Sequence, residues 1–219
     1  MPKYPCLVLD HDDTVVQTEA TINYPFFCEI LRSFRPGAHM TLKEYADGCF
    51  YTGFAQMCRE KFQFTEQELT EEYHAWTDYV RSHTPDIFPG IEAIIHRQKQ
   101  AGGLICVVSH SNREIILRDY AHHFGIVPDA VYGWDCPEHQ RKPSTYPLEQ
   151  IMQRFSLKPD QLLVVDDMKP GYEMASNTGV QIAFAAWARS ECPEILELMS
   201  SVCDYTFHSP KKLESFLFD

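Results

Sequence analysis

Cys6-Leu7-Val8-Leu9-Asp10-His11-Asp12-Asp13-Thr14 is the stretch on which the fold turns. Four apolar residues in a row stop at a carboxylate. Such a run reads as a buried strand that delivers the carboxylate to the carboxyl edge of a sheet, where open α/β sheets bind their ligands. Asp10 and Asp12 are separated by one residue, so they can share a site and do different work. One can attack or hold a metal while the other moves protons. The plainer reading is an acidic strand-to-loop turn, because Asp is common in turns.

Outward from this strand the texture changes twice. Beyond Thr14, up to about Pro85, the pattern predicts helices over Ala20 to Phe34, Leu42 to Asp47, Phe54 to Phe62 and Glu66 to Ser82. Thr41 and Thr65 are candidate N-caps, and Thr65 with Glu68 has capping-box spacing. Arg35-Pro36-Gly37 breaks the first helix. The dense aromatics here, among them Phe26, Phe27, Phe54, Phe62 and Trp76, read as the core of a small helical bundle. From Phe88 onward strands and helices alternate. Strands are predicted at Leu104 to Val108, Val131 to Gly133, Leu162 to Val165 and Val180 to Ala185, with a last one near Asp204-Tyr205. The intervening helices cover Ile91 to Gln100, Arg113 to Phe124, Pro147 to Phe155, Gly171 to Asn177 and Pro193 to Met199. Alternation of this kind implies a Rossmann-like parallel sheet covered by helices on both faces. The expected organisation is an α/β core of residues 1–15 and 86–219 with a helical cap, residues 16–85, inserted after the first strand.

Composition narrows the partners. The chain has 219 residues, 44% of them hydrophobic, which suffices for a sizeable core. Its 31 Asp and Glu against 19 Lys and Arg give a formal net charge of -12, which argues against nucleic acid as a partner. None of the eight cysteines forms a C-x-x-C pair, and several fall in apolar segments. They read as buried thiols of a reduced protein, and neither cysteines nor histidines have zinc-ligand spacing. The short run after Met1-Pro2-Lys3-Tyr4-Pro5 does not read as a signal peptide, and no stretch has the length of a membrane span. A cytoplasmic protein with no membrane partner is expected. The sequence carries no mark of oligomeric state.

Four constellations sit at strand ends or in the loops after them. They are Asp10 to Thr14, Ser109-His110-Ser111-Asn112, Lys142-Pro143 and Asp166-Asp167. In a parallel sheet all strands end on one edge, so these groups can converge. Each has a plainer reading. Ser109 fits a helix cap, Lys142 a solvated loop, and Asp166-Asp167 an acidic pair favoured by a helix dipole. His11 and His110 read as neighbours of such a site.

Taken together and in this order, the motifs resemble the haloacid dehalogenase-like superfamily, in its phosphatase and phosphomutase branch with a helical cap. The resemblance covers nearly the whole chain, including Val165-Asp166-Asp167-Met168-Lys169-Pro170-Gly171. One departure is Asp13, where the family usually has glycine. The resemblance implies that Asp10 is the nucleophile that forms an aspartyl phosphate and that Asp12 is the general acid and base. It implies that Ser109 and Lys142, with His110 beside them, hold the phosphoryl oxygens. Mg²⁺ would be held by Asp10, the Asp12 carbonyl and Asp167, with Asp166 as a possible further ligand. The implied activity is Mg²⁺-dependent hydrolysis of a small phosphorylated metabolite. Alternatives are a sugar phosphomutase of the β-phosphoglucomutase type and a non-catalytic binding or regulatory module. Dehalogenation is disfavoured because the resemblance implies no need there for a second aspartate, and Asp12 is present. Arg35, Lys43, Tyr51, Arg59 and Lys61 are candidate substrate contacts from the cap.

Overall fold

Asp10 owes its position to strand pairing, and the pairing is visible in a computed structural model that describes residues 2–219. The chain divides into two compact units. One runs to Val16 and resumes at Ile87, and the other is Gln17–Asp86. No described helix is long and apolar enough to cross a membrane.

The Gln17–Asp86 unit is helical. A π-helical turn at Glu19–Asn23 leads into α1 (Tyr24–Phe34), followed by α2 (Leu42–Tyr51), α3 (Phe54–Phe62) and α4 (Glu66–Ser82). Thr41 and Thr65 both make reciprocal capping boxes, with Glu44 and Glu68. α2 runs through Gly48, where a helix stop was expected. Gly48 is a packing gap: a Cβ there would lie 2.2 Å from Met57 Sδ. The core joins Phe27, Leu31, Tyr45, Met57, Cys58 and Phe64, and Phe27 meets Tyr45, Phe54 and Phe62 at ring distances of 5.2–6.0 Å. Arg35 ties the end of α1 to α4 through both Glu68 oxygens at 2.6 and 3.0 Å, and donates to the carbonyls of Phe62 and Gln63. Lys43 pairs with Asp47 and Arg59 with Glu66 on the surface.

The other unit carries one six-stranded parallel sheet, formed by β1 (Cys6–Leu9), β2 (Leu104–Val108), β3 (Ala130–Tyr132), β4 (Leu162–Asp166), β5 (Gln181–Ala185) and β6 (Tyr205–Phe207). The spatial order is β3-β2-β1-β4-β5-β6. The order reverses between β1 and β4, and the crevice at their carboxyl ends is where such sheets bind ligands. β1 is buried on both faces, as its unbroken apolar run implies. Leu7 and Leu9 join the face covered by α5 (Ile91–Gln100), α6 (Arg113–Phe124) and, near the chain end, helix Pro210–Phe218. Cys6 and Val8 join the face covered by α7 (Tyr146–Phe155) and α8 (Lys169–Ser176). The α/β fold with a helical insertion after the first strand is thus the fold of the chain.

Two differences from the sequence expectation bear on the site. β4 extends to Asp166, so this carboxylate is a strand residue. α8 begins at Lys169, two residues before the expected start, because Pro170 lies in the first turn and has no needed N–H to lose. Gly171, one position further, lies against the Asp166 side chain, and a Cβ there would be 2.1 Å from Asp166 Oδ2. Alanine normally improves a helix by about 1 kcal/mol over glycine. Here overpacking dominates, at about 1–3 kcal/mol. Gly171→Ala is expected to lower the unfolding free energy by the difference, up to about 2 kcal/mol, in a urea titration. A more stable variant would show that α8 can back away from β4.

The helical unit also holds a buried carboxyl, Glu72 on α4, which is 7% exposed. Burial pushes it up to about 7. The folded state therefore binds this proton more tightly than the unfolded chain does. Its contribution is fully present below the ordinary value of 4.5 and is lost as pH rises through 7. Urea melts at pH 5 and pH 8 should show wild type losing stability with rising pH and Glu72→Gln losing much less. The gap at pH 8 should be on the order of 3 kcal/mol at most. Parallel pH profiles for the two proteins would clear Glu72 of this role.

Candidate active site

Strand register sets the site. Leu9 lies opposite both Val107 and Val165, so the residues just past β1, β2 and β4 end at one level. The Asp10 N–H donates to the Val165 carbonyl at 2.9 Å, which places Asp10 beside Asp166. One carboxylate oxygen from each of Asp10, Asp166 and Asp167 falls within 4.8 Å of the others, and all three residues are buried. Lys142, buried as well, reaches between two of them. Its Nζ lies 2.8 Å from Asp10 Oδ1 and 2.7 Å from Asp166 Oδ2. The other Asp166 oxygen accepts from the Met168 N–H at 2.9 Å, so both oxygens of this carboxylate are engaged.

The turn after Asp10 is tightly held. The N–H groups of Val15 and Val16 donate to the His11 carbonyl, and the Asp13 N–H donates to the Val16 carbonyl. Asp13 sits at φ +54°, in the left-handed region. This explains the glycine usual at this place in the family, and Asp is among the few other residues that enter the region readily. Asp12 is half-buried on this turn and makes a parallel bridge with Val16. His11 turns away from the carboxylates. Its Nε2 lies 3.1 Å from Asp119 Oδ2 on α6, and Arg118 Nε donates to the other Asp119 oxygen at 2.7 Å.

Ser109 follows β2 and is 2% exposed. Its Oγ accepts from the Ser111 N–H at 3.1 Å, and the N-cap of α6 is Asn112, so Ser109 is not the helix cap. His110 Nε2 is 2.9 Å from the Lys142 carbonyl oxygen and links the two loops.

Sequence reasoning missed one charged residue of this cluster, Arg189. It follows β5 and is 3% exposed. Its Nε donates to Asp167 Oδ2 at 2.8 Å, and Nη2 donates to the same oxygen. Thr14, the last residue of the first constellation, had been given no role. Its Oγ1 lies 3.5 Å from Asp167 Oδ1. The available signal for Arg189 was positional: β5 neighbours β4, so a residue just beyond β5 ends up beside Asp167.

The electrostatics follow from burial. Three buried carboxylates face two cations. Burial pushes Asp166 up to about 8 and Asp167 up to about 6, against the pull of Lys142 and Arg189 respectively. Burial also works against the Lys142 charge, but Asp10 and Asp166 outweigh it and hold Lys142 above its ordinary value. The three carboxylates bring oxygens close enough to hold one cation. Such oxygen-only donors suit a hard divalent ion.

Solved structures match the whole architecture. A Bacteroides fragilis protein assigned as a haloacid dehalogenase-like hydrolase superimposes with a TM-score of 0.79 at 17% identity, over 96% of this chain and 100% of that one. A predicted phosphoglycolate phosphatase from Haemophilus somnus gives 0.72 at 17% identity over 99% of each chain. CbbY from Rhodobacter sphaeroides, in complex with phosphate, gives 0.70 at 16% identity over 96% of each chain. At such identities the likeness establishes the fold. No curated protein sequence matches the chain at a significant level. Residues 7–185, which include every carboxylate of the cluster and Lys142 but stop short of Arg189, match the family model of the haloacid dehalogenase-like hydrolases, and the chain belongs to that family.

Proposed function

We propose that this hydrolase cleaves the phosphomonoester of a small phosphorylated metabolite through an aspartyl phosphate on Asp10. The observation that carries the reading is the buried Lys142 ammonium between Asp10 and Asp166. A carboxylate nucleophile repels a phosphate dianion unless a fixed cation offsets its charge. Lys142 offsets it without reorganising when substrate arrives. The Rhodobacter CbbY protein was solved in complex with phosphate and a mutant of it in complex with xylulose-(1,5)-bisphosphate, which supports a phosphorylated metabolite as the substrate class.

In this mechanism an Asp10 oxygen attacks phosphorus and the ester oxygen leaves, taking a proton from Asp12. Water then attacks the phosphoryl group and gives its proton to Asp12. The Asp10–phosphorus bond breaks and inorganic phosphate departs. Ser109 and Lys142 hold phosphoryl oxygens, with His110 bracing the Lys142 loop. Asp10, Asp167 and the Asp12 carbonyl would hold Mg²⁺, which when bound stabilises charge on the transferring group. Asp166 orients Lys142 and is a possible further ligand. The helical unit of residues 17–86 serves as the cap that selects the remainder of the substrate.

A phosphate-release assay over a panel of phosphorylated metabolites tests the activity. Wild type should release phosphate in Mg²⁺ and stop when the metal is chelated. Asp10→Asn should fall to background with its circular dichroism unchanged, and substantial turnover in that variant would remove Asp10 from the role. Conversion of a hexose 1-phosphate to the 6-phosphate with little release would favour a mutase.

Asp12 is tested by leaving group. Asp12→Asn keeps the backbone carbonyl but cannot exchange a proton. Its rate should fall by about a hundredfold to ten-thousandfold on alkyl phosphates and far less on an activated aryl phosphate, whose phenolate leaves unaided. Equal losses on both, together with weakened Mg²⁺ binding, would make Asp12 a ligand or a structural residue.

A further inference from the structure

Arg189 is an uncommon neighbour for a carboxylate read as a metal ligand. A guanidinium stays protonated at any pH the protein survives. Its charge is therefore a fixed part of the cluster. Two of its donors converge on one Asp167 oxygen, Oδ2. Nη2 also lies 3.5 Å from Met168 Sδ, and the side chain is 3% exposed, so the guanidinium is packed in place. It comes from the 3₁₀ turn Ala186–Ala188 after β5, an element separate from those that supply the carboxylates and Lys142.

We propose that Arg189 is a resident counter-ion that competes with divalent metal for Asp167, so that the site binds metal weakly alone and more tightly once a phosphate anion is present. The proposal rests on the reading of Asp10 and Asp167 as metal ligands. The geometry and one fixed charge make the argument. Two Arg189 donors occupy Asp167 Oδ2, and a metal bound through that oxygen has to displace them. A divalent ion brought to Asp167 also meets the guanidinium charge in a buried place. A phosphate dianion beside the ion offsets that repulsion, whereas without Arg189 the ion would meet neither the donors nor the charge. Arg189 thus opposes the metal alone and favours the metal–phosphate pair, and this coupling is reciprocal between the two ligands.

Calorimetric titration of Mg²⁺ into metal-free protein, with and without inorganic phosphate, tests this. Without phosphate, R189M should bind Mg²⁺ at least about tenfold more tightly than wild type. Phosphate should tighten Mg²⁺ binding more in wild type than in R189M. Metal-free R189M should melt below wild type, and saturating Mg²⁺ should narrow the gap. R189K keeps the charge but loses the two-donor grip on Oδ2. It should fall between the two proteins, and it decides the matter if metal-free R189M does not fold. Equal or weaker Mg²⁺ affinity in the folded variants, with metal still binding to wild type, overturns the counter-ion role and leaves the metal reading standing. Absence of Mg²⁺ binding to wild type and variants alike, in phosphate as well, overturns both.

Discussion

The Lys142 ammonium, buried between Asp10 and Asp166, is the interaction on which the rest of the site depends. Removing one partner from a buried ion pair typically costs about 3–5 kcal/mol, because a charge is left stranded. Three elements must therefore agree on one point in space: the end of β1, the end of β4 and the loop before α7. Register supplies the agreement for the strands, since Leu9 opposite Val165 leaves Asp10 and Asp166 side by side. Gly171 lets α8 approach closely enough to pack on the Asp166 carboxylate, while the Met168 N–H takes its second oxygen. His110 fixes the backbone of the lysine loop. Each of these contacts limits where the ammonium can be.

Much of this was legible along the chain because it is encoded locally. An unbroken apolar run that stops at polar residues reads as a buried parallel strand, so β1, β2 and β4 could be placed, with carboxylates at the ends of β1 and β4 and Ser109 after β2. The bounds of α3, α4, α5 and α6 could be read to the residue, because caps and glycines mark them: Thr65 opens α4, and Gly125 at φ +63° closes α6. Gly48 and Pro170 misled for one reason. Each is a breaker in isolation, and each is admitted by its setting, one by a packing gap and one by the first turn of a helix.

Arg189 was not legible because nothing near it announces a site. Ala185-Ala186-Trp187-Ala188-Arg189 reads as a strand end followed by a surface cation. Its meaning comes only from sheet order, which puts β5 beside β4, and from the depth at which the turn buries it. Lys142 could be noted from its loop position, but its role was legible only through family likeness, since a lysine in a polar loop has no period to betray it. Asp13 lies between these cases. Its identity suggested a turn, but the left-handed backbone that makes glycine the usual choice is seen only in three dimensions.

The place of β1 in the sheet also orders events on the ribosome. Its two partners are β2 and β4, and Cys6 pairs with Leu104 and Leu162. The strand that leads into the candidate nucleophile precedes both partners in the chain, and it can pair with β4 only after the helical unit, β2 and β3 have emerged. The contacts within residues 17–86 are short in sequence, and short contacts close quickly. That unit can be compact while β1 is still an apolar tetrapeptide with unpaired edges, the kind of segment that aggregates when it waits exposed. Two aspartates at Asp12 and Asp13 and a lysine at Lys3 bracket it on either side. Charges that flank an apolar strand in this way disfavour pairing with a wrong edge.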